Sequence, residues 1–144
     1  MENSIVEFPD LYIESTIENF SMVKDWLRNI LDTIKCDSRT AKQLFIAVDE
    51  IYTNISNYAY KTIGDVDLSA FYDSLSNKLK IMFKDSGIEY NPLLKPDPDI
   101  SKRIAEHTVG GLGIFMAKKM VDSIEYLRQD GKNILILYKN IKSN

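Results

Sequence analysis

Residues 45–60 read FIAVDEIYTNISNYAY, and the spacing within them decides the architecture. Together with Leu44, the residues Val48, Ile51, Ile55 and Ala59 recur every three or four positions, which lines up one apolar stripe along a helix. Asp37 or Ser38 suits the start of that helix, because a short side-chain oxygen accepts the free amides of a first turn. The pattern carries it to about Tyr60, and Gly64 breaks it. Upstream, Phe20, Val23, Trp26, Leu27, Ile30, Leu31 and Ile34 repeat the same periodicity and predict a first helix from about Thr16 to Lys35. Downstream the period falls to two. Val66, Leu68, Ala70 and Tyr72 alternate with polar residues, as do Leu79, Ile81 and Phe83, so two strands with one covered face are expected around the turn Asp73–Asn77.

From Ser86 to Val109 run 24 residues containing Pro92, Pro96 and Pro98, a connection long enough to suggest a functional segment. A short helix near Ile100–Glu106 is expected to interrupt it. Gly110-Gly111-Leu112-Gly113 then opens a third helix with Ile114, Phe115, Ala117, Met120 and Val121 on its apolar side. Two closing strands, about Ser123–Arg128 and Asn133–Asn140, flank Asp130-Gly131, a pair suited to a tight hairpin. An extra strand is expected at Ile5–Phe8. Hairpin-linked strands beside segregated helices imply an α+β fold, a two-layer α/β sandwich in which three helices cover one face of a mainly antiparallel mixed sheet. The expectation is one domain over residues 1–144, with a lid loop at about 86–110.

The composition excludes several classes of function. Hydrophobic residues make up 44% of the 144 and charged ones 27%, which excludes a disordered chain. A net charge of −3 gives no electrostatic case for nucleic acid, and no apolar run approaches the roughly 18 residues of a membrane span. One cysteine, Cys36, and one histidine, His107, cannot supply a structural zinc site. With no basic-then-apolar leader in MENSIVEFPD, a cytoplasmic protein is expected.

Three short motifs can carry chemistry. Glu50 and Asn54, four apart, share one helix face; a carboxylate there can orient or deprotonate a hydroxyl, and an amide oxygen can ligate Mg2+. Taken alone, the same pair also reads as a solvated polar stripe. Asp85-Ser86-Gly87 follows a strand, where an Asp can accept from an exocyclic amine and glycine permits close approach of a ring; it also reads as an ordinary turn. Gly110-Gly111-Leu112-Gly113 precedes a helix, whose free amides can hold phosphate oxygens, or it serves as a hinge. It is neither a Walker A loop nor a Rossmann fingerprint.

In order, Glu50-x-x-x-Asn54, Asp85-x-Gly87 and Gly111-x-Gly113 match the N, G1 and G2 boxes, and the chain resembles the GHKL (Bergerat-fold) ATP-binding domain. The stretches FIAVDEIYTNISNYAY (Phe45–Tyr60), KDSGIEYNP (Lys84–Pro92) and VGGLGIFMAKKMVDSIEY (Val109–Tyr126) carry the likeness. Within that superfamily the chain resembles the short anti-sigma factor serine/threonine kinases. The resemblance implies ATP and Mg2+ as cofactors, Glu50 as general base or orienting carboxylate, and Asn54 as the metal ligand. It implies Asp85 on the adenine amine, Gly87 beside the ring, and Gly110, Gly111, Leu112 and Gly113 around the phosphates. It further implies a sigma factor held inactive, an anti-anti-sigma protein as phosphorylation substrate, and a homodimer. Glu89 stands where the family often has a small residue or proline, and the basic residues Lys102 and Arg103 are the candidates for a lid contact to phosphate. Tyr12, Ile13 and Phe71 are apolar residues suited to an interface. A competing reading is an ATP-binding regulatory module of the same fold that transfers nothing. A sensor histidine kinase fragment would need a helical phospho-accepting histidine, and His107 lies instead in the expected lid.

Overall fold

The computed structural model describes residues 4–60, 64–106 and 113–143. Its strands are β1 (Ile5–Glu7), β2 (Leu11–Glu14), β3 (Asp65–Asp73), β4 (Lys78–Asp85), β5 (Ser123–Gln129) and β6 (Lys132–Asn140). Its helices are α1 (Phe20–Thr33), α2 (Ser38–Tyr58), α3 (Ile100–Ala105) and α4 (Gly113–Met120), with a single 3-10 turn at Pro92–Leu94.

The sheet runs β1-β3-β4-β6-β5, with β2 also on β3, and every one of these pairings is antiparallel. Period-two alternation sends Val66, Leu68, Ala70 and Tyr72 of β3, Leu79, Ile81 and Phe83 of β4, and Leu135 and Leu137 of β6 to one face. That face meets Val23, Leu27, Ile30 and Leu31 of α1, Leu44, Val48 and Ile51 of α2, and Ile114 and Ala117 of α4 in one apolar core. The α+β sandwich with three covering helices is therefore the observed arrangement. The fourth helix, α3, buries none of its residues, which is why its apolar periodicity is weak in the sequence.

The tight turns are where the sequence places them. The β5–β6 hairpin turns on Asp130 and Gly131, both at positive φ (54° and 75°), as a two-residue loop between twisted strands requires. Asp37 caps α2: its Oδ1 accepts the Thr40 N–H at 2.8 Å, and hydrogen bonding from Thr40 holds the Asp37 carboxyl below the usual carboxylate range.

Four expectations need correction. The first helix begins at Phe20 rather than Thr16, because the Thr16 carbonyl accepts the Tyr52 hydroxyl at 2.6 Å and the Asn19 N–H at 3.2 Å in a separate turn. It ends at Thr33 rather than Lys35, because Lys35 adopts the left-handed conformation (φ 56°) that terminates a helix. The β2 strand is not foreseen, being four residues that share the edge of β3 with β1. Ile13, expected at the surface, is only 8% exposed because β2 turns it onto the core opposite Val66.

Candidate functional site

Asp85 ends β4 and is 6% exposed. A carboxylate so deeply placed needs donors, and it has two: the Gly87 N–H and the Asn133 side-chain amide both donate to Oδ1, each at 2.9 Å. Among the described residues nothing donates to Oδ2. The carboxylate borders a largely apolar slot whose walls include Ile51, Ile55, Ala59, Ile88, Tyr126 and Leu135. Apolar walls with one unused, fixed acceptor suit a flat heterocycle bearing an exocyclic amine.

Gly87 has a local reason to be glycine. A Cβ there would lie 2.1 Å from the Ala59 carbonyl oxygen, so the backbone after β4 runs directly against the end of α2. The Ile88 N–H donates to that same carbonyl at 2.9 Å, and Arg128 donates to the Gly87 carbonyl at 2.9 Å. The turn is held from both sides.

Asn133 ties these pieces together. Besides bonding Asp85 it donates to the Ile88 carbonyl at 2.7 Å, and its Oδ1 accepts the Tyr90 N–H and the Tyr126 hydroxyl. All four of its hydrogen-bonding capacities are used. Sequence reading passed over it. The available signal was a polar residue at an inward position of a strand, in register with Leu135 and Leu137.

The slot opens into a second, larger cleft of about 610 Å³, which also contains Asn54, Tyr58, Ile88 and Tyr90 in its walls. Here Glu50 and Asn54 of α2 face the first residue of α4. A Cβ on Gly113 would lie 2.9 Å from Glu50 Oε2 and 3.5 Å from Asn54 Oδ1. The helix start and the two polar side chains thus share one small volume. Burial, together with the neighbouring Asp49 charge, pushes the Glu50 carboxyl above its ordinary value. A carboxyl tuned upward is a stronger proton acceptor once ionised.

Glu50, Asn54, Asp85 and Gly113 therefore gather along one continuous cleft between α2, the end of β4 and the start of α4, with Gly87 in the turn that follows Asp85. Gly110, Gly111, Leu112 and His107 lie outside the described residues. Lys102 and Arg103, on α3, do not line this cleft; Lys95 does. Cys36 is half-buried at the far end of α2, and burial raises its thiol to about 11, which disfavours the thiolate form.

A family model described as a histidine kinase-like ATPase domain matches residues 13–139. The Serine-protein kinase RsbW of Bacillus thuringiensis (strain Al Hakam) is 31% identical over 96 residues, covering 63% of this chain and 59% of that protein. The protein of the same name from Bacillus cereus (strain AH187) is 30% identical over the same shares. This chain thus spans 59% of the length of the curated relatives it matches. Among solved structures, the RsbU and RsbW domains of Rv1364c from Mycobacterium tuberculosis superpose with a TM-score of 0.64 at 19% identity. That match covers 93% of this chain and 33% of the other, and the likeness is one of fold.

Proposed function

From the premise that the chain belongs to the histidine kinase-like ATPase domain family, we propose that it binds Mg-ATP and phosphorylates a serine or threonine of a protein partner. The observation that carries this reading is the convergence of Asp85, Asn54, Glu50 and Gly113 along one cleft. Asp85 Oδ2 takes the exocyclic amine of adenine, with Gly87 beside the ring. The backbone amides of Gly110, Gly111, Leu112 and Gly113 hold the phosphates.

The donor set suits magnesium. Asn54 offers a neutral oxygen beside Glu50, and among the described residues no three His, Cys, Asp or Glu side chains cluster. Mg2+ keeps waters and phosphate oxygens as most of its ligands, so one amide oxygen from the protein is sufficient. When bound, the ion neutralises charge on the phosphates.

Glu50 accepts the proton of the attacking hydroxyl as its oxygen bonds to the γ-phosphorus and the bond from that phosphorus to the β–γ bridging oxygen breaks. Such transfers depend on positioning and electrostatics rather than on many catalytic groups, and this cleft has few.

Residues 1–144 act in this scheme as one ATP-binding unit, with about 86–110 as its lid. The names of the similar RsbW proteins support a serine kinase. The family resemblance adds an anti-sigma role: a sigma factor sequestered, an anti-anti-sigma protein phosphorylated, a homodimer, and a cytoplasmic site of action. Among the described residues no helix is long and apolar enough to cross a membrane.

Two measurements test the proposal. Titration calorimetry with Mg-ATP should register binding that Asp85→Asn abolishes or weakens by about tenfold or more. Labelled γ-phosphate should then pass to a purified cognate antagonist. No heat with saturating Mg-ATP would overturn the nucleotide reading, whereas binding without transfer would leave the non-transferring regulatory module.

A further inference from the structure

Among the described residues that line the larger cleft, one is acidic and one is basic. Glu50 lines it, and of the described residues in its wall only Lys95 carries positive charge. An anion bound beside Asn54 and Gly113 lies close to the Glu50 carboxylate, and a cation in the same cleft offsets that repulsion.

The backbone around Lys95 is pinned at both ends. On one side Asn91 Oδ1 accepts the Leu93 N–H at 2.9 Å, Pro92 is buried, and the Lys95 N–H donates to the Pro92 carbonyl at 3.3 Å. On the other, Lys118 of α4 forms an ion pair with Asp97 at 2.7 Å, drawing the segment onto the helix that begins at Gly113. Between these anchors Lys95 is extended (φ −69°, ψ 126°), as the residue before Pro96 must be. Among the described residues its ammonium makes no hydrogen bond or ion pair.

Building on the nucleotide reading above, we infer that Lys95 is the cation that contacts the polyphosphate of the bound nucleotide, and that the Asp97–Lys118 pair is the latch that positions it. The latch is half-exposed, with side-chain exposures of 56% and 35%. A pair of that kind is weak, so it can open and let the segment move during nucleotide exchange. Lys95 acts as a point charge on a flexible stem, which fits a ligand whose charge is spread over several oxygens.

The test is calorimetric titration of the full chain with adenosine, Mg-ADP and Mg-ATP, on the wild type, Lys95→Gln, Lys95→Arg and Lys118→Met. Lys95→Gln should weaken Mg-ATP about tenfold, weaken Mg-ADP less, and leave adenosine unchanged. Lys95→Arg should restore most of the loss, and Lys118→Met should weaken Mg-ATP only about two- to threefold. Equal Mg-ATP affinity in wild type and Lys95→Gln overturns the inference. So does a loss that is the same for adenosine and Mg-ATP, since that marks a structural role. A wild type that binds none of the three ligands overturns instead the nucleotide reading beneath it.

Discussion

Asn133 donates to Asp85 Oδ1 at 2.9 Å across the β4–β6 ladder, in which the two residues stand directly opposite each other. The bond occupies one carboxylate oxygen together with the Gly87 N–H and leaves Oδ2 without a donor among the described residues. Asn133→Ala removes four hydrogen bonds at once and leaves a buried carboxylate, a carbonyl and a hydroxyl short of partners. A loss of about 2–4 kcal/mol in unfolding free energy is expected from urea titration. Nucleotide affinity should fall as well, because Asp85 is then held by the Gly87 N–H alone. An unchanged urea midpoint would mean that the network contributes nothing.

Glu50 gives a prediction in pH. Burial first, and Asp49 second, raise its carboxyl above the ordinary glutamate range. A carboxyl raised in the fold contributes stability that is complete below its unfolded pKa and is lost as pH rises through its folded pKa. As a base it works only once deprotonated. The acidic limb of kcat should therefore sit at higher pH than that of an ordinary glutamate, and Asp49→Asn should move it down by removing the like charge. Glu50→Gln should lower kcat by about 10²–10⁴ while changing Mg-ATP affinity by no more than about threefold. Equal loss of nucleotide affinity in Glu50→Gln and Asp85→Asn would defeat the division of labour between them.

Which parts of this were legible depends on how far each signal reaches along the chain. Val48, Ile51 and Ile55 on α2, and the alternation of β3 and β4, specify their elements locally, because periodicity is a property of neighbours. The motif residues Glu50, Asn54 and Asp85 were legible as chemistry, but only the sheet order brings them to one cleft. Asn133 was not legible, since its partners at 85, 88, 90 and 126 lie 7 to 48 residues away. Lys95 was missed for a related reason. On one side its position is set by an ion pair between Asp97 and Lys118, 21 residues apart, which no local pattern announces. The β2 strand escaped because four residues are too few to establish a period.

Gly87 separates packing from conformation. Its φ is not positive, so the requirement for glycine is one of space. In Gly87→Ala the new methyl meets the Ala59 carbonyl oxygen at 2.1 Å, and backbone cannot swing aside as a side chain can. The turn must shift, and the Ile88 N–H bond to the same carbonyl is lost with it. A destabilisation of about 2–3 kcal/mol is expected in chemical denaturation, together with weakened adenosine binding. A variant with wild-type stability would show that the two backbones are not so close.

Gly113→Ala makes the opposite test, because there the obstacle is the movable end of a side chain. The added methyl would lie 2.9 Å from Glu50 Oε2, and the carboxylate can rotate away at little cost. Alanine also favours a helix over glycine, by up to about 1 kcal/mol in a helix interior and less at the first residue. Thermal unfolding should therefore be unchanged or slightly improved. Turnover should nevertheless drop, by about 10-fold or more, because a small misplacement of a reacting group is costly. Asn54 Oδ1, at 3.5 Å from the same methyl, is displaced less, so Mg-ATP affinity should change less than kcat. Loss of kcat in a protein of undiminished stability would identify the contact between the start of α4 and Glu50 as part of the catalytic geometry; retained kcat would remove Glu50 from it.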